Sequence, residues 1–352
     1  MKILFLPNWN VQFLQTDNPL IQAPDKYVKG QPYWFFRYIQ HITRLDIINI
    51  GRKSLFQRLE KKLHFYLLQS IKAFMCRNSY DVVISHGAPS AIFYEFLTSF
   101  VRRKPRHIIF DIGSLNSGGT GKLMISLLSF ALRKKPILIA HASEQLVYYR
   151  RYYPALSENA YFIPFGVDCA YFEHCIQQFS LQPKKESDYL LCFGFLDRDY
   201  DTLLKAWKMI QSDKILRIVG NPQLQIPNGV THVELLDKMP FGELLQQIYS
   251  SSFVVIPLPD YRFSLGQMSF LQSMSMGKPV VVTNMFASRD YILHAPGAIA
   301  VKPYDLFDMK QALERFLNLS QSELDLLGEE NKRYVETHFD EHSLADSLSN
   351  LL

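Results

Sequence analysis

The chain has 352 residues and a mass of 40.9 kDa, too much for one compact core and suited to two domains of roughly 100–200 residues each. Hydrophobic residues make up 48% and charged residues 20%, which excludes a mostly disordered chain. The net charge of +5 is split unevenly: residues 1–168 hold 22 Lys and Arg against 10 Asp and Glu, a net +12, and the remainder holds 16 against 23, a net −7. The basic half is therefore expected to meet an anionic partner, whether a membrane leaflet, a nucleic acid or a phosphorylated lipid.

The longest nearly apolar stretch, Leu123 to Leu132, is about half the roughly 20 residues of a membrane-spanning helix. Lys2 is followed by only Ile3–Leu6 before Pro7, too short for a signal-peptide core, so a soluble cytoplasmic protein is expected. Cys76, Cys169, Cys175 and Cys192 are scattered without zinc-site spacing, which sets aside a disulfide scaffold and a structural metal.

The elements alternate along the chain. Short apolar runs at Lys2–Leu6, Leu45–Ile50, Asp81–Ser85, His107–Asp111, Pro136–Ala140 and Tyr161–Pro164 read as strands. Helical patterns lie between most of them, at Pro32–Thr43, Ser54–Met75, Ser90–Val101, Leu123–Arg133 and Glu144–Tyr153. A polar connector is expected over Gln177–Asp188, after which the rhythm restarts. Strands at Tyr189–Phe193, Leu216–Val219, Thr231–Leu235, Phe253–Pro257 and Pro279–Thr283 alternate with helices at Thr202–Gln211, Gly242–Ser250, Gln267–Met276 and Leu306–Leu319. Strands apolar on both faces with helices between them mean parallel sheets covered on both sides. The predicted fold is α/β, two doubly wound Rossmann-like domains facing across a cleft, with ligands beyond the carboxyl ends of the strands.

The most informative stretch is Phe253–Asn284, in which an irregular loop leads through Gly266-Gln267 into a helix. The first N–H groups of a helix have no partner within it, and the helix dipole places partial positive charge there. Glycine lets the chain come close, so a diphosphate could dock on the amides of Gly266, Gln267 and Met268. Taken alone, the same pattern also fits an ordinary loop-to-helix join.

Gly266-Gln267, the helix, and then Met274-Ser-Met-Gly-Lys-Pro-Val-Val-Val-Thr-Asn284 resemble the nucleotide-sugar site of GT-B glycosyltransferases of family GT4. Phe162-Ile-Pro-Phe-Gly-Val-Asp168 is similar to that family's interdomain segment, and Phe193–Ala206 to the first strand–loop–helix of its C-terminal domain. Leu216–Asn221 resembles the second strand, and Asn331–Phe339 the closing helix that crosses back to the N-terminal domain. The resemblance covers about residues 160–345; before that only the rhythm and Ile139–Glu144 support it. It implies GT-B architecture with an acceptor domain over 1–168, a donor domain over 169–335 and a returning helix over 336–352.

Carried over by position, the resemblance puts Arg198 on the donor's phosphates, where a guanidinium can grip oxygens bidentately and stabilise the departing diphosphate. Arg198 lies between Asp197 and Asp199, so pairing with a neighbour is the alternative. Gly194, Asn221, Lys238, Met239 and Leu265 fall with the donor-binding positions, and Phe195 replaces an Arg common in the family. Its Glu-x7-Glu motif falls on Ser264 and Gln272, which leaves the sugar open and would suit an anionic sugar such as a uronic acid. The nucleotide sugar is a substrate, and neither a cofactor nor a metal is implied.

On the acceptor side, Lys29 and Gly30 are candidates for the family's loop glycines, and His141, Ser143 and Glu144 for orienting an acceptor. His86 or Asp111 could act as general base in an inverting reaction, though a buried residue capping the next helix is the plainer reading of each. A retaining reaction, as in the resembling family, needs no protein nucleophile.

The pattern Leu55, Leu59, Leu63, Leu67, Ile71 and Phe74 makes one helical stripe flanked by Arg58, Lys61, Lys62, His64 and Lys72, as in a helix lying on an anionic leaflet or simply packed in a core. Further basic clusters at Arg102–Arg106, Arg133–Lys135 and Arg150–Arg151 favour the leaflet. The expected partners are thus a nucleotide sugar, a glycan or lipid-linked acceptor and an anionic membrane surface. Nucleic acid is not expected, since no base-reading motif is present. The alternatives are a GT-B nucleotide-sugar epimerase, a catalytically dead relative, and a non-catalytic basic binding protein.

Overall fold

The computed structural model describes residues 1–14, 26–28, 33–50, 60, 65–113, 115, 122–181, 188–194, 197–261 and 264–352. Its contacts divide the chain into two compact units, the first of residues 1–164, 262–264 and 341–352, the second of 165–261 and 265–340.

The first unit opens with β1 (Lys2–Leu6), a small parallel pair β2 (Gln12–Leu14) and β3 (Lys26–Val28), a 3-10 turn at Trp34–Tyr38, and β4 (Arg44–Ile47). There follow α1 (Leu67–Cys76), β5 (Val82–His86), α2 (Ala88–Thr98), β6 (Arg106–Asp111), α3 (Lys122–Ala131), β7 (Ile137–Ala140), α4 (Ser143–Tyr152), the single turn α5 (Pro154–Ser157) and β8 (Ala160–Phe162). Its sheet runs β4-β1-β5-β6-β7-β8, parallel throughout. Ile3–Leu6 and Val82–Ile84 are buried because helices cover both faces, which is why these strands lack a polar alternation. The chain order reverses between β1 and β5, so the crevice that such sheets use for ligands lies beyond Leu6 and His86.

The second unit holds α6 (Cys169–Ser180), β9 (Tyr189–Phe193), α7 (Tyr200–Lys208), β10 (Ile215–Val219), β11 (Val233–Leu236), α8 (Phe241–Ser250), β12 (Val254–Ile256) and α9 (Gln267–Ser275). It continues with β13 (Val280–Thr283), the short α10 (Arg289–Ile292), β14 (Ala298–Val301), α11 (Leu306–Leu317) and α12 (Gln321–His338). The parallel sheet runs β11-β10-β9-β12-β13-β14, and its order reverses between β9 and β12. One core joins Leu190, Trp207, Phe253 and Phe316 across this sheet and its helices. The last helix, α13 (Glu341–Ser349), belongs to the first unit, where Arg37 pairs with buried Glu341 at 3.2 Å.

Four expectations about elements need correction. The helix expected over Pro32–Thr43 is only the 3-10 turn Trp34–Tyr38, which ends at extended Ile39. The stretch Ser54–Met75 is not one helix: Phe65 and Tyr66 are not helical, and α1 begins only at Leu67. Most of the stripe before that, with Arg58, Lys61, Lys62 and His64, lies outside the described residues. The connector is shorter than expected, because α6 continues through Ser180, its start capped by the Asp168 carboxylate on the Tyr171 amide at 3.1 Å. The segment that returns to the first unit starts at Glu341, not 336: α12 is one continuous helix with a Ser320–Glu323 capping box, and its end is held by the Val167 amide on the Phe339 carbonyl. No helix among the described residues is long and apolar enough to cross a membrane.

Candidate functional site

The site builds up at the reversal of the second sheet. Gly194 ends β9 with φ +146°, and the guanidinium of Arg198 lies directly over it; a β-carbon at Gly194 would sit 2.0 Å from Nη2. Arg198 Nε donates to the Phe193 carbonyl at 3.1 Å, Nη1 to the Asp197 carbonyl at 3.1 Å, and Nη2 to Ser269 Oγ at 3.0 Å. The last contact fixes Arg198 against the first turn of α9. Burial lowers the Arg198 pKa, yet a guanidinium starts high enough to stay charged. The flanking acids have other tasks: Asp199 caps α7 through the Thr202 amide at 3.1 Å, and the Asp197 carboxylate accepts from Tyr261 at 3.2 Å.

Gly266 precedes α9 in the left-handed region, at φ +85° and ψ −11°, with no side-chain cap. Its α-carbon lies so close to Leu258 that a β-carbon would stand 2.7 Å from Leu258 Cδ2. Leu258 is held in turn by its amide on Thr283 Oγ1 at 2.8 Å. The Gly266 carbonyl accepts from Ser269 and Phe270, whereas the amides of Gly266, Gln267 and Met268 have no acceptor among the described residues. Three open donors at a helix start, beside a fixed guanidinium, form a cradle for an anion with several oxygens.

Gln272, one turn further along α9, is 7% exposed, and its side-chain amide has no hydrogen bond to a described residue. Ser264 Oγ is buried without a partner, and the Ser264 amide donates to the Ile112 carbonyl at 2.9 Å, so contacts group residue 264 with the first unit. Leu265 is buried at 2% exposure, which leaves its backbone and not its side chain for a ligand. Asn221 follows β10 and Gly220, whose amide is tied to the Leu236 carbonyl at 3.0 Å; Lys238 and Met239 follow β11, with Lys238 exposed. Gly194, Asn221, Lys238, Met239 and Gly266 therefore follow the carboxyl ends of β9, β10, β11 and β12 within the second unit.

In the first unit, His86 ends β5 at the sheet reversal. Its Nδ1 meets Asn8 Oδ1 at 3.3 Å, and its ring packs edge-on against Trp9 at 4.8 Å. Phe110 stands between His86 and His141, at centroid distances of 5.9 Å and 5.4 Å. Burial, with the charge of His141 second, lowers the His86 pKa to about 3; burial lowers His141 to about 4 although its bond to the Ile163 carbonyl opposes this. Both imidazoles are neutral near pH 7. Because a carbonyl only accepts, His141 carries its proton on Nδ1, at 2.8 Å from Ile163 O. Ser143 and Glu144 form the first turn of α4, behind β7.

Asp111 does not have the geometry of a general base. It is fully buried, Oδ1 accepts from the Gly113 amide at 3.0 Å and the Leu115 amide at 3.4 Å, and Oδ2 accepts from the Tyr149 hydroxyl. A carboxylate so occupied shapes the loop after β6 and has no oxygen presented to a substrate. Lys29 and Gly30 lie outside the described residues. The sequence reading missed Ser269, Leu258 and Asn8, which orient Arg198, Gly266 and His86; only the place of Ser269 in the first turn of α9 was a usable signal.

Residues 187–319 match the family model "Glycosyl transferases group 1". An uncharacterized glycosyltransferase of Methanocaldococcus jannaschii is 23% identical over 152 residues, which span 43% of this chain and 40% of that relative. Among solved structures, sucrose-phosphate synthase from Thermosynechococcus elongatus superposes with a TM-score of 0.67 at 16% identity, covering 100% of this chain and 98% of that one. Anabaena HepE, in complex with UDP and glucose, gives 0.67 at 13% identity with 100% and 99% coverage. A Rickettsia africae glycosyltransferase gives 0.66 at 14% identity with 99% and 97% coverage. At these identities the structural likeness establishes architecture, two Rossmann-like domains of parallel strands. The chain thus has the GT-B fold, and its residues 187–319 resemble the glycosyl transferases group 1 family.

Proposed function

We propose that the protein is a GT4-type hexosyltransferase that moves a sugar from a nucleotide sugar, a UDP-sugar first among them, to a glycan or lipid-linked acceptor at the cytoplasmic face of a membrane, in surface polysaccharide or glycolipid synthesis. The observation that carries this reading is the Arg198 guanidinium fixed by Ser269 beside the open amides of Gly266, Gln267 and Met268. A nucleoside diphosphate has the charge and the oxygens to use both. That UDP and glucose occupy Anabaena HepE, a protein of the same fold, supports the choice of nucleotide.

In this reading the second unit binds the donor. The base and ribose lie along Gly220-Asn221 and Asp237–Met239, and Gln272 offers its neutral amide to the ribose hydroxyls. The backbone of Leu265 lies at the sugar end. The first unit takes the acceptor, with His86, His141, Ser143 and Glu144 at its strand ends. The acceptor hydroxyl attacks the anomeric carbon on the face from which the diphosphate leaves. The carbon–oxygen bond to the acceptor forms as the bond to the diphosphate breaks, and a phosphate oxygen takes the hydroxyl proton. Configuration is retained, and positioning and charge stabilisation carry the rate. Arg198 and the helix start supply the positive charge, so the reaction proceeds without a metal.

The test is a donor panel of UDP- and GDP-sugars, UDP-glucuronate included, assayed with a lipid-linked acceptor in the presence and absence of a chelator. Turnover of a UDP-sugar that the chelator leaves unchanged, with the anomeric configuration kept, supports the proposal. Failure of every nucleotide sugar to bind would overturn it.

A further inference from the structure

The described part of the first unit carries a corner where apolar and basic exposure coincide. At the end of α2, Phe100 is 65% exposed, and on α3 Leu127 and Phe130 are 55% and 51% exposed. Phe96 packs edge-on against Phe100 at 5.2 Å and lies 6.5 Å from Phe130, so the two exposed rings share one base. The Arg133 guanidinium sits 4.9 Å from the Phe100 ring centroid and 4.1 Å from that of Phe130, bridging the rings with a charge. Large exposed rings held together in this way are costly on a free surface and mark a contact.

The unpaired charge beside them is basic. Arg102, Arg103 and Lys134 are exposed and have no ion-pair partner among the described residues. Beside them a cavity of about 640 Å³ is lined by Lys104, Arg106, Lys134 and Lys135, with Pro105 and Tyr161 among its other walls. Lys104 is committed to Glu95 at 2.7 Å, Lys135 to Glu158 at 2.7 Å, and Arg106 to the Leu351 and Leu352 oxygens at 2.8 and 2.7 Å, which leaves Lys134 as the cation of the cavity for a phosphate.

From this juxtaposition we infer that the corner formed by Phe100, Leu127 and Phe130 seats on an anionic lipid bilayer: the rings enter the interface, Arg102, Arg103 and Arg133 lie at headgroup level, and the basic cavity receives a headgroup phosphate. Rings without charge would fit a second copy of the chain, and charge without rings would fit a nucleic acid; the combination fits a leaflet. The inference deepens the membrane-face part of the proposed function and rests on it for its purpose. It places the contact at the ends of α2 and α3, with the basic clusters Arg102–Arg106 and Arg133–Lys135; most of the Ser54–Met75 stripe lies outside the described residues.

The experiment is flotation of the purified full chain with vesicles of phosphatidylcholine alone and of phosphatidylcholine mixed with phosphatidylglycerol. Binding is expected only to the mixed vesicles. Arg102→Glu/Arg103→Glu should weaken it at least roughly 25-fold, about fivefold per basic residue. Phe100→Ser/Phe130→Ser should weaken it about tenfold through lost apolar insertion, while Lys205→Glu and Leu326→Ser on the second unit leave it unchanged. Circular dichroism melts report folding of each variant and calorimetry with UDP reports the donor site, so loss of vesicle binding with both intact supports the surface. If no sample binds UDP, the proposed function fails while the vesicle result still decides this inference. Equal binding to neutral vesicles, binding that survives both double substitutions, a dimer broken by the Phe substitutions without vesicle binding, or RNA binding lost only with the Arg substitutions would each overturn it.

Discussion

Replacing Gly194 with alanine removes no functional atom, yet the structure assigns it a large and selective effect. The new methyl would stand 2.0 Å from Arg198 Nη2 and 2.3 Å from Cζ, so the guanidinium has to leave its place. The 3.0 Å bond to Ser269 Oγ then breaks, and the charge no longer faces the start of α9. If Arg198 holds the diphosphate, what is lost is a hydrogen bond to a charged group, about 1.5–3 kcal/mol, or roughly 10- to 150-fold in UDP affinity. Calorimetric titration should show that loss for UDP and little change for uridine, which lacks the phosphates. The decisive comparison is Gly194→Ala in an Arg198→Ala background: the clash is gone, and the substitution should leave UDP affinity nearly unchanged. The backbone cost at φ +146° persists in both backgrounds, about 1–3 kcal/mol, and lowers the melting temperature of each. If Gly194→Ala weakened UDP as much without Arg198 as with it, or weakened uridine equally, the reasoning would be refuted.

Other outcomes follow from the same contacts. Ser269→Ala should weaken UDP by about two- to tenfold, the worth of one ordinary hydrogen bond, and have no further effect once Arg198 is alanine. Gly266→Ala should cost about 1–3 kcal/mol in urea unfolding, because its methyl meets Leu258 at 2.7 Å while φ is +85°; Leu258→Ala should restore only the clash part. The folded pKa values of His86, about 3, and His141, about 4, lie below the ordinary histidine value near 6.5. Their stabilisation is therefore complete above about pH 6.5 and is lost as pH falls toward the folded values, about 1.4 kcal/mol per pH unit per histidine. Urea melts at pH 6.5 and 5 should differ by about 2 kcal/mol less in His86→Gln than in the parent chain; an identical difference would count against the shift. Glu95 is fully buried between His107 at 2.8 Å and Lys104 at 2.7 Å. Burial alone would raise its pKa, but these two partners outweigh burial and hold it low, so its contribution is present above the ordinary carboxyl range and lost below it. Glu95→Gln should destabilise by about 2 kcal/mol, less than the 3–5 kcal/mol of a sealed pair, since Lys104 keeps 18% exposure.

The alternation of strands and helices was legible because two-sided burial writes unbroken apolar runs such as Ile3–Leu6 and Val254–Ile256. β14, with the sequence Ala298-Ile-Ala-Val301, was not: two alanines have weak strand preference, and pairing with β13 makes the strand. Gly266 ahead of α9 was readable from local chemistry alone, since a helix start needs no distant partner to expose its amides. The roles of Arg198 and Asp111 were not local. Arg198 depends on Ser269, 71 positions away, and Asp111 on Tyr149, 38 positions away, so only the fold separates a side chain aimed at an anion from one locked beneath a loop.

The central claim is that the start of α9, with Arg198, grips the diphosphate of a nucleotide sugar. Amide NMR of the labelled full chain titrated with UDP and, separately, with uridine tests it most directly. The account predicts that the resonances of Gly266, Gln267 and Met268 move with UDP and stay in place with uridine; UDP binding that leaves those three amides unmoved would contradict it.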